Sequence, residues 1–109
     1  MAIAKSLVSG STSMLILRLL AERDMYGYEI IDTLVQRSEN VFQLKAGTLY
    51  PLLHTLEDQH LLTSYESPVN GRTRKYYGIT REGKKFLTEK QEEWQVFSGA
   101  VAKVLSLGV

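Results

Sequence analysis

The side chains best equipped for covalent or metal chemistry are few. The chain holds two histidines, His54 and His60, and no cysteine. Six residues apart on a helix of 3.6 residues per turn, the imidazoles would point roughly 240° apart, so one helix cannot bring both to a metal ion. The absence of cysteine excludes a disulfide framework, a thiolate zinc site and a cysteine nucleophile together. No Ser/His/Asp set, glycine-rich phosphate loop or pair of catalytic carboxylates stands out. These residues predict no enzyme, no metal and no cofactor. A cation cluster does stand out. Arg72, Arg74 and Lys75 fall within four positions beside Asn70-Gly71, and Tyr76 and Tyr77 follow. Cations carried past a fold on a tight turn neutralise phosphates. A solvated basic turn is the plainer alternative. No aromatic platform for stacking unpaired bases is evident, which argues against RNA.

The charge distribution supports a polyanion partner. The net charge is +1, but residues 1–60 carry five Lys/Arg against seven Asp/Glu. Residues 61–90 carry seven against three, and residues 91–109 one against two. Positive charge is thus gathered in one segment. A length of 109 residues fits one domain, and 44% hydrophobic with 23% charged residues is ordinary globular usage. No apolar run approaches the roughly 20 residues of a membrane helix, and no signal peptide is visible. A cytoplasmic protein with no membrane partner is the expectation.

The elements that must position these residues can be read from periodicity and punctuation. Ser11, Thr12 or Ser13 caps a helix expected to run to about Arg23. Its segment Met14–Leu20 is apolar almost all round, so it needs partners on several sides, and a second subunit is attractive. A second helix opens at Tyr26-Gly27-Tyr28 and ends near Ser38. Gly27 is expected to admit another backbone, and Tyr26 to pack or touch phosphate. A third helix carries Leu49, Leu52, Leu53 and Leu56 at helical spacing. Leu61–Ser67 and Thr73–Ile79 read as strands around the Asn70-Gly71 turn. Thr80 caps a last helix, with Glu82 in its first turn. That helix carries a seam of Leu87, Lys90, Trp94, Phe97, Val101 and Val104. Three helices and a basic hairpin make a winged helix-turn-helix. The fold is mainly α with a small β-hairpin and a long C-terminal dimerisation helix. Residues 1–80 form the DNA-binding part and 81–109 the dimerisation helix of one structural unit.

In a helix-turn-helix the second helix of the motif enters the major groove. Opposite the leucine stripe lie Gly47, Pro51, His54 and Asp58, flanked by Thr48, Thr55 and Tyr50. Lys45, Gly47, Thr48, Tyr50, Pro51 and His54 are therefore candidate DNA contacts, together with Tyr26, Arg72, Arg74 and Lys75. The alternative for Tyr50 is a half-buried structural tyrosine. The list lacks Arg, Asn and Gln where bases would be read, so DNA shape is expected to contribute to specificity. Pro51 leaves the helix start open. With Thr48 as the cap its missing N–H is harmless, whereas a start at Lys45 or Ala46 loses one backbone bond.

Leu19-Leu20, Tyr26-Gly27-Tyr28-Glu29-Ile30, Gly47-Thr48-Leu49-Tyr50-Pro51 with Leu56-Glu57, and Arg74-Lys75-Tyr76-Tyr77-Gly78-Ile79-Thr80-Arg81-Glu82-Gly83 occur in this order. Together they resemble the PadR family of bacterial transcriptional regulators over about residues 12–88. The single helix after the wing resembles the short PadR-like subgroup. The resemblance implies a homodimeric repressor acting on a double-stranded operator and relieved by a small aromatic or lipophilic effector. Leu15, Leu87, Lys90, Trp94, Phe97 and Val101 are the candidate dimer or effector contacts. Trp94 and Phe97 would wall a flat slot for a planar molecule at the subunit boundary, or simply fill the dimer core. The alternative function is a winged helix used only for protein–protein interaction, without DNA.

Overall fold

The computed structural model describes residues 10–106. Among these are four helices and one three-stranded antiparallel sheet. The elements are α1 (Thr12–Leu20), β1 (Met25–Tyr26), α2 (Gly27–Arg37), α3 (Ala46–Asp58), β2 (Leu62–Val69), β3 (Arg72–Ile79) and α4 (Arg81–Val104). The strand order is β1-β3-β2, with β3 central. The fold is the expected winged helix with a long last helix.

Helix α1 is the hub. It packs against α2, α4 and β3, and Ile16, Leu17, Leu19 and Leu20 are buried. Met14 and Leu15 pack at the edge of the same core. Its nearly continuous apolar surface is thus largely satisfied inside one protomer, and it gives no separate reason for a second subunit. The helix also stops earlier than the expected Arg23. Met25 pairs with Tyr77 in the sheet and is itself buried, so the chain must leave the helix before it. Glu22 fastens this exit. Arg18 lies 3.2 Å from it along α1, and Arg37 at the end of α2 donates two hydrogen bonds to its carboxylate. The Arg37 hydrogen bonds hold the Glu22 carboxyl below the ordinary carboxylate range.

Tyr26 is not a helical residue as expected. It ends β1 opposite Tyr76 and caps α2, where its backbone N–H donates to Glu29 Oε1 at 3.2 Å. Helix α2 then ends as expected at Ser38. Glu39 and Asn40 adopt φ of 52° and 70°, and Asn40 N–H donates back to the Val35 carbonyl at 2.8 Å. This is a Schellman closure, which satisfies carbonyls left open at a helix end. Helix α3 closes in the same way through His60 at φ 62°, with Leu61 N–H donating to the Leu56 carbonyl at 2.9 Å.

The hairpin turn has two residues, Asn70 at φ 50° and Gly71 at φ 78°. Both central residues at positive φ are what a type I′ turn requires, and its twist matches that of the flanking strands. It sets Val69 opposite Arg72, and hence Tyr65 opposite Tyr76. Leu62, Tyr77 and Met25 fall on the buried face. The turn is tighter than the five-residue connection expected from sequence.

Thr80 joins the wing to α4. Its hydroxyl accepts from Gly83 N–H at 2.9 Å and donates to the His60 carbonyl at 2.7 Å. A Cβ at Gly83 would fall on the Leu61 carbonyl oxygen and 2.7 Å from Ile79 Cγ1. The start of α4 is thereby locked onto the α3–β2 junction. Its first half packs on α1 and buries Leu87. At about 1.5 Å per residue its 24 residues span roughly 36 Å of a molecule 53 Å long.

Candidate nucleic-acid interface

Helix α3 is built by its leucines. Leu49, Leu53 and Leu56 are buried against α2 and β2, with Leu52 at the margin. That burial turns Gly47, Thr48, Pro51, His54, Thr55 and Asp58 to solvent. The helix starts at Ala46 with extended Lys45 as its N-cap, and Thr48 and Leu49 N–H both donate to the Lys45 carbonyl, at 3.0 and 2.9 Å. Thr48 is therefore not the cap. Pro51 lies inside the helix, where it cannot donate to the Gly47 carbonyl four residues back. Thr55 Oγ1 donates to the Pro51 carbonyl at 3.1 Å.

Tyr50 is half-buried and packs against the core. Its hydroxyl lies where a Cβ of Gly27 would be, and its Cζ lies 2.6 Å from that point. Gly27 therefore admits a tyrosine side chain, where the sequence suggested a backbone. This contact fixes the spacing of α2 and α3, the two helices of the motif.

The wing separates its three cations. Arg72 and Lys75 are exposed, and the Lys75 ammonium lies 5.6 Å from the Tyr77 ring centroid. Arg74 is half-buried, with its guanidinium 4.9 Å from the Tyr26 ring centroid. Its Nε is buried with no hydrogen-bond partner among the described residues. Arg74 is thus held against the sheet, in contrast to the exposed cations on either side of it. The Tyr26 ring is engaged from two sides, by Arg74 and by an edge contact to Tyr76 at 5.5 Å.

The sheet's outer face also carries a feature the sequence reading missed. Tyr65, 45% exposed, stacks on Tyr76 with centroids 5.7 Å apart and planes 12° apart. Tyr65 Oη donates to Asp24 Oδ2 at 2.6 Å. This hydrogen bond, with partial burial, pushes the Tyr65 phenol above its ordinary value. A stacked aromatic pair with one exposed member, Tyr65, and one half-buried member, Tyr76, therefore lies on this face, contrary to expectation. Counting back from the Asn70-Gly71 turn would have placed Tyr65 opposite Tyr76.

The C-terminal seam divides in two. Leu87 belongs to the protomer's own core, which removes it from the dimer and effector candidates. Lys90 is half-buried, lies 5.4 Å from the Phe86 ring centroid and pairs with Glu93 at 3.3 Å. From there outwards the seam is open. Trp94 is 49% exposed, Phe97 61% and Val104 84%, with Val101 and Leu105 beside them. The Trp94 and Phe97 rings lie 6.2 Å apart. Leu15 stays with the core at the other end. Among the described residues no helix is long and apolar enough to cross a membrane.

This arrangement of helix, wing and trailing helix is shared with known regulators. A transcriptional regulator from Clostridium thermocellum superposes with a TM-score of 0.86 at 33% identity, covering 94% of this chain and 97% of that one. A PadR family transcriptional regulator from Eggerthella lenta gives 0.82 at 37% identity, covering 92% and 86%. A transcriptional regulator from Mycobacterium tuberculosis is 38% identical over 74 residues, 68% of this chain and 66% of the relative. These relatives are regulators and not enzymes. The family model of the transcriptional regulator PadR-like family matches residues 16–89, from the hub helix through the wing to the first half of α4, and the chain belongs to that family.

Proposed function

We propose that the chain is a homodimeric repressor that binds a double-stranded operator through α3 and the wing, and that a small planar aromatic or lipophilic effector at the subunit boundary releases it. The observation that carries the DNA reading is the solvent face of α3. Six residues there, from Gly47 to Asp58, are exposed among the described residues, while the hairpin that follows presents Arg72 and Lys75. Thr48, Pro51 and His54 contact the groove, and Lys45, Arg72 and Lys75 contact phosphate. Tyr50 positions α3 from behind, and Arg74 stiffens the wing through Tyr26. The open seam from Trp94 to Leu105 supports the second subunit, because so many large apolar side chains along one helix are covered in an assembled protein. In a two-fold dimer, two reading heads engage half-sites about one helical turn, ~34–36 Å, or a multiple of it apart.

Duplex binding over a salt series tests the DNA reading. Binding should weaken steeply with salt, and Arg72→Ala and Lys75→Ala should each flatten the log K against log salt slope by roughly one unit on any sequence. Salt-insensitive binding to another protein, with no duplex binding, would establish the interaction-module alternative instead.

A further inference from the structure

Helix α3 has an unusual inventory for a helix that enters the major groove. Its thirteen residues, Ala-Gly-Thr-Leu-Tyr-Pro-Leu-Leu-His-Thr-Leu-Glu-Asp, include no Arg, Lys, Asn or Gln. Bidentate hydrogen bonds to guanine and adenine come from those four side chains, so α3 itself has none of them to offer. The acidic end adds little. Glu57 Oε2 accepts from Ser64 Oγ at 2.5 Å and faces the sheet.

What the exposed face does present is small apolar groups. At 3.6 residues per turn Thr48, Thr55 and Pro51 fall within an arc of about 60°. All three are exposed. The Thr55 hydroxyl proton is already directed to the Pro51 carbonyl. That leaves Thr55 with a methyl group and an acceptor lone pair, and Pro51 with ring methylenes and no N–H. Gly47 supplies a second, independent observation. It is exposed, its φ is not positive, and a Cβ there would meet nothing within 4 Å among the described residues. Neither the backbone nor the protomer's packing requires glycine, which is unfavourable in a helix. A requirement from outside the protomer, a surface that comes close to the first turn of α3, accounts for it.

We propose that this face recognises the C5-methyl groups of thymines, so that each half-site is selected by apolar contact to A·T pairs through Thr48, Pro51 and Thr55. Gly47 lets the first turn approach closely enough for those contacts. Thymine alone among the bases shows a methyl group in the major groove, and threonine methyls are suited to meet it. His54 contributes the one ring N–H on this surface, and Lys45 with the wing supplies phosphate contacts without sequence preference. The inference rests on the DNA reading above and specifies its ligand.

The test selects duplexes from a random-sequence pool with the full-length protein. The preferred duplex is then remade with deoxyuridine replacing each thymidine in turn, which removes the methyl and keeps the base pair. In each half-site one or more such replacements should weaken binding about fourfold, the factor expected for one buried methyl group. Thr48→Ser and Thr55→Ser lose only a methyl and keep the hydroxyl. Each should bind the thymidine duplex about fourfold more weakly and no longer distinguish deoxyuridine at its own position. Pro51→Ala restores a helix N–H, so weaker binding by that variant does not come from unfolding. Equal affinity for thymidine and deoxyuridine at every position would overturn the inference while leaving DNA binding intact. Selected half-sites in which the discriminating pairs are G·C would do the same. Failure to enrich any duplex would overturn both readings.

Discussion

Three glycines allow the same substitution to be tested in three surroundings. Gly27, Gly47 and Gly83 all lie in helices with φ outside the left-handed region, so alanine can adopt each backbone without strain. The outcome then depends only on what the new methyl meets. At Gly47 it meets nothing within 4 Å among the described residues, and the gain in helix propensity is up to about 1 kcal/mol. At Gly27 it lands on the Tyr50 hydroxyl, the far end of a side chain that can swing. Overpacking of this kind costs about 1–3 kcal/mol. At Gly83 it lands on the Leu61 backbone carbonyl, which is fixed by the α3–β2 junction and receives the Thr80 N–H at 3.1 Å. The cost there should reach or exceed the upper end, about 3 kcal/mol. With about 4–8 °C of melting temperature per kcal/mol for a domain of this size, Gly47→Ala should melt slightly above the wild type and Gly27→Ala several degrees below it. Gly83→Ala should melt lowest of all. Thermal melts at one protein concentration measure the series, and duplex binding adds a second axis on which Gly47→Ala should lose affinity despite its added stability. Tyr50→Leu should recover most of the stability lost in Gly27→Ala and nothing in Gly83→Ala. A Gly83→Ala protein as stable as wild type, or a Gly47→Ala protein less stable, would refute the steric reasoning.

Alkaline pH should destabilise the fold in a defined way. The Tyr65 phenol is pushed up by its hydrogen bond to Asp24, and the Tyr77 phenol by burial and then by Glu57 and Tyr50. A raised folded-state value means stability is complete below the unfolded phenol value of about 10 and falls as pH rises through the folded values. Melts into the alkaline range should show this decline, and Tyr65→Phe should make it shallower. An unchanged decline in that variant would dissociate it from Tyr65. At the acid end, the depressed Glu22 carboxyl gives stability that is present above the ordinary glutamate range and lost as pH falls through its folded value. Glu22→Gln should flatten this acid limb. For assembly, sedimentation should show a dimer at micromolar concentration, and planar aromatic compounds should quench Trp94 fluorescence. A stable monomer would remove the assembly proposal. Absence of quenching by such compounds, or equal affinity in dimeric Trp94→Ala, would remove the effector site.

Much of this architecture was legible because local patterns carried it. The leucine stripe of α3, the Asn70-Gly71 turn and the Thr80 cap each rest on short-range physics: helical period, tolerance of positive φ, and a hydroxyl within reach of an orphan N–H. The start of α3 was ambiguous because its best capping side chain, Thr48, lies three residues inside the helix. Lys45 starts it with a backbone carbonyl alone. Strand β1 was missed because it has two residues and exists only through pairing with β3. A segment that short has no period to detect, and its identity is wholly non-local. Leu87 was misplaced for the opposite reason. The heptad spacing runs unbroken from Leu87 to Val104, yet its first turn is buried on α1 and its remainder lies open. Spacing defines a stripe and is silent about what covers it.

The candidate site follows the same division. Composition located the cations of the wing but not their separate fates, because Arg74 is withdrawn by a ring contributed from a different strand. Periodicity found the solvent-facing residues of α3, since whatever is opposite a buried stripe is exposed. It did not show that Tyr50 leaves that set to pack on Gly27. Glycine is the clearest case. In the sequence, Gly27 and Gly47 are both missing side chains near the start of a helix of the motif. In the fold, Gly27 accommodates a neighbour inside the protomer, whereas Gly47 faces open space. An internal contact accounts fully for the first and leaves nothing for function to explain. For the second, a residue that weakens its own helix without easing any contact is most simply explained by a partner beyond the protomer. That is why Gly47, more than any charged residue nearby, directs attention to what α3 approaches.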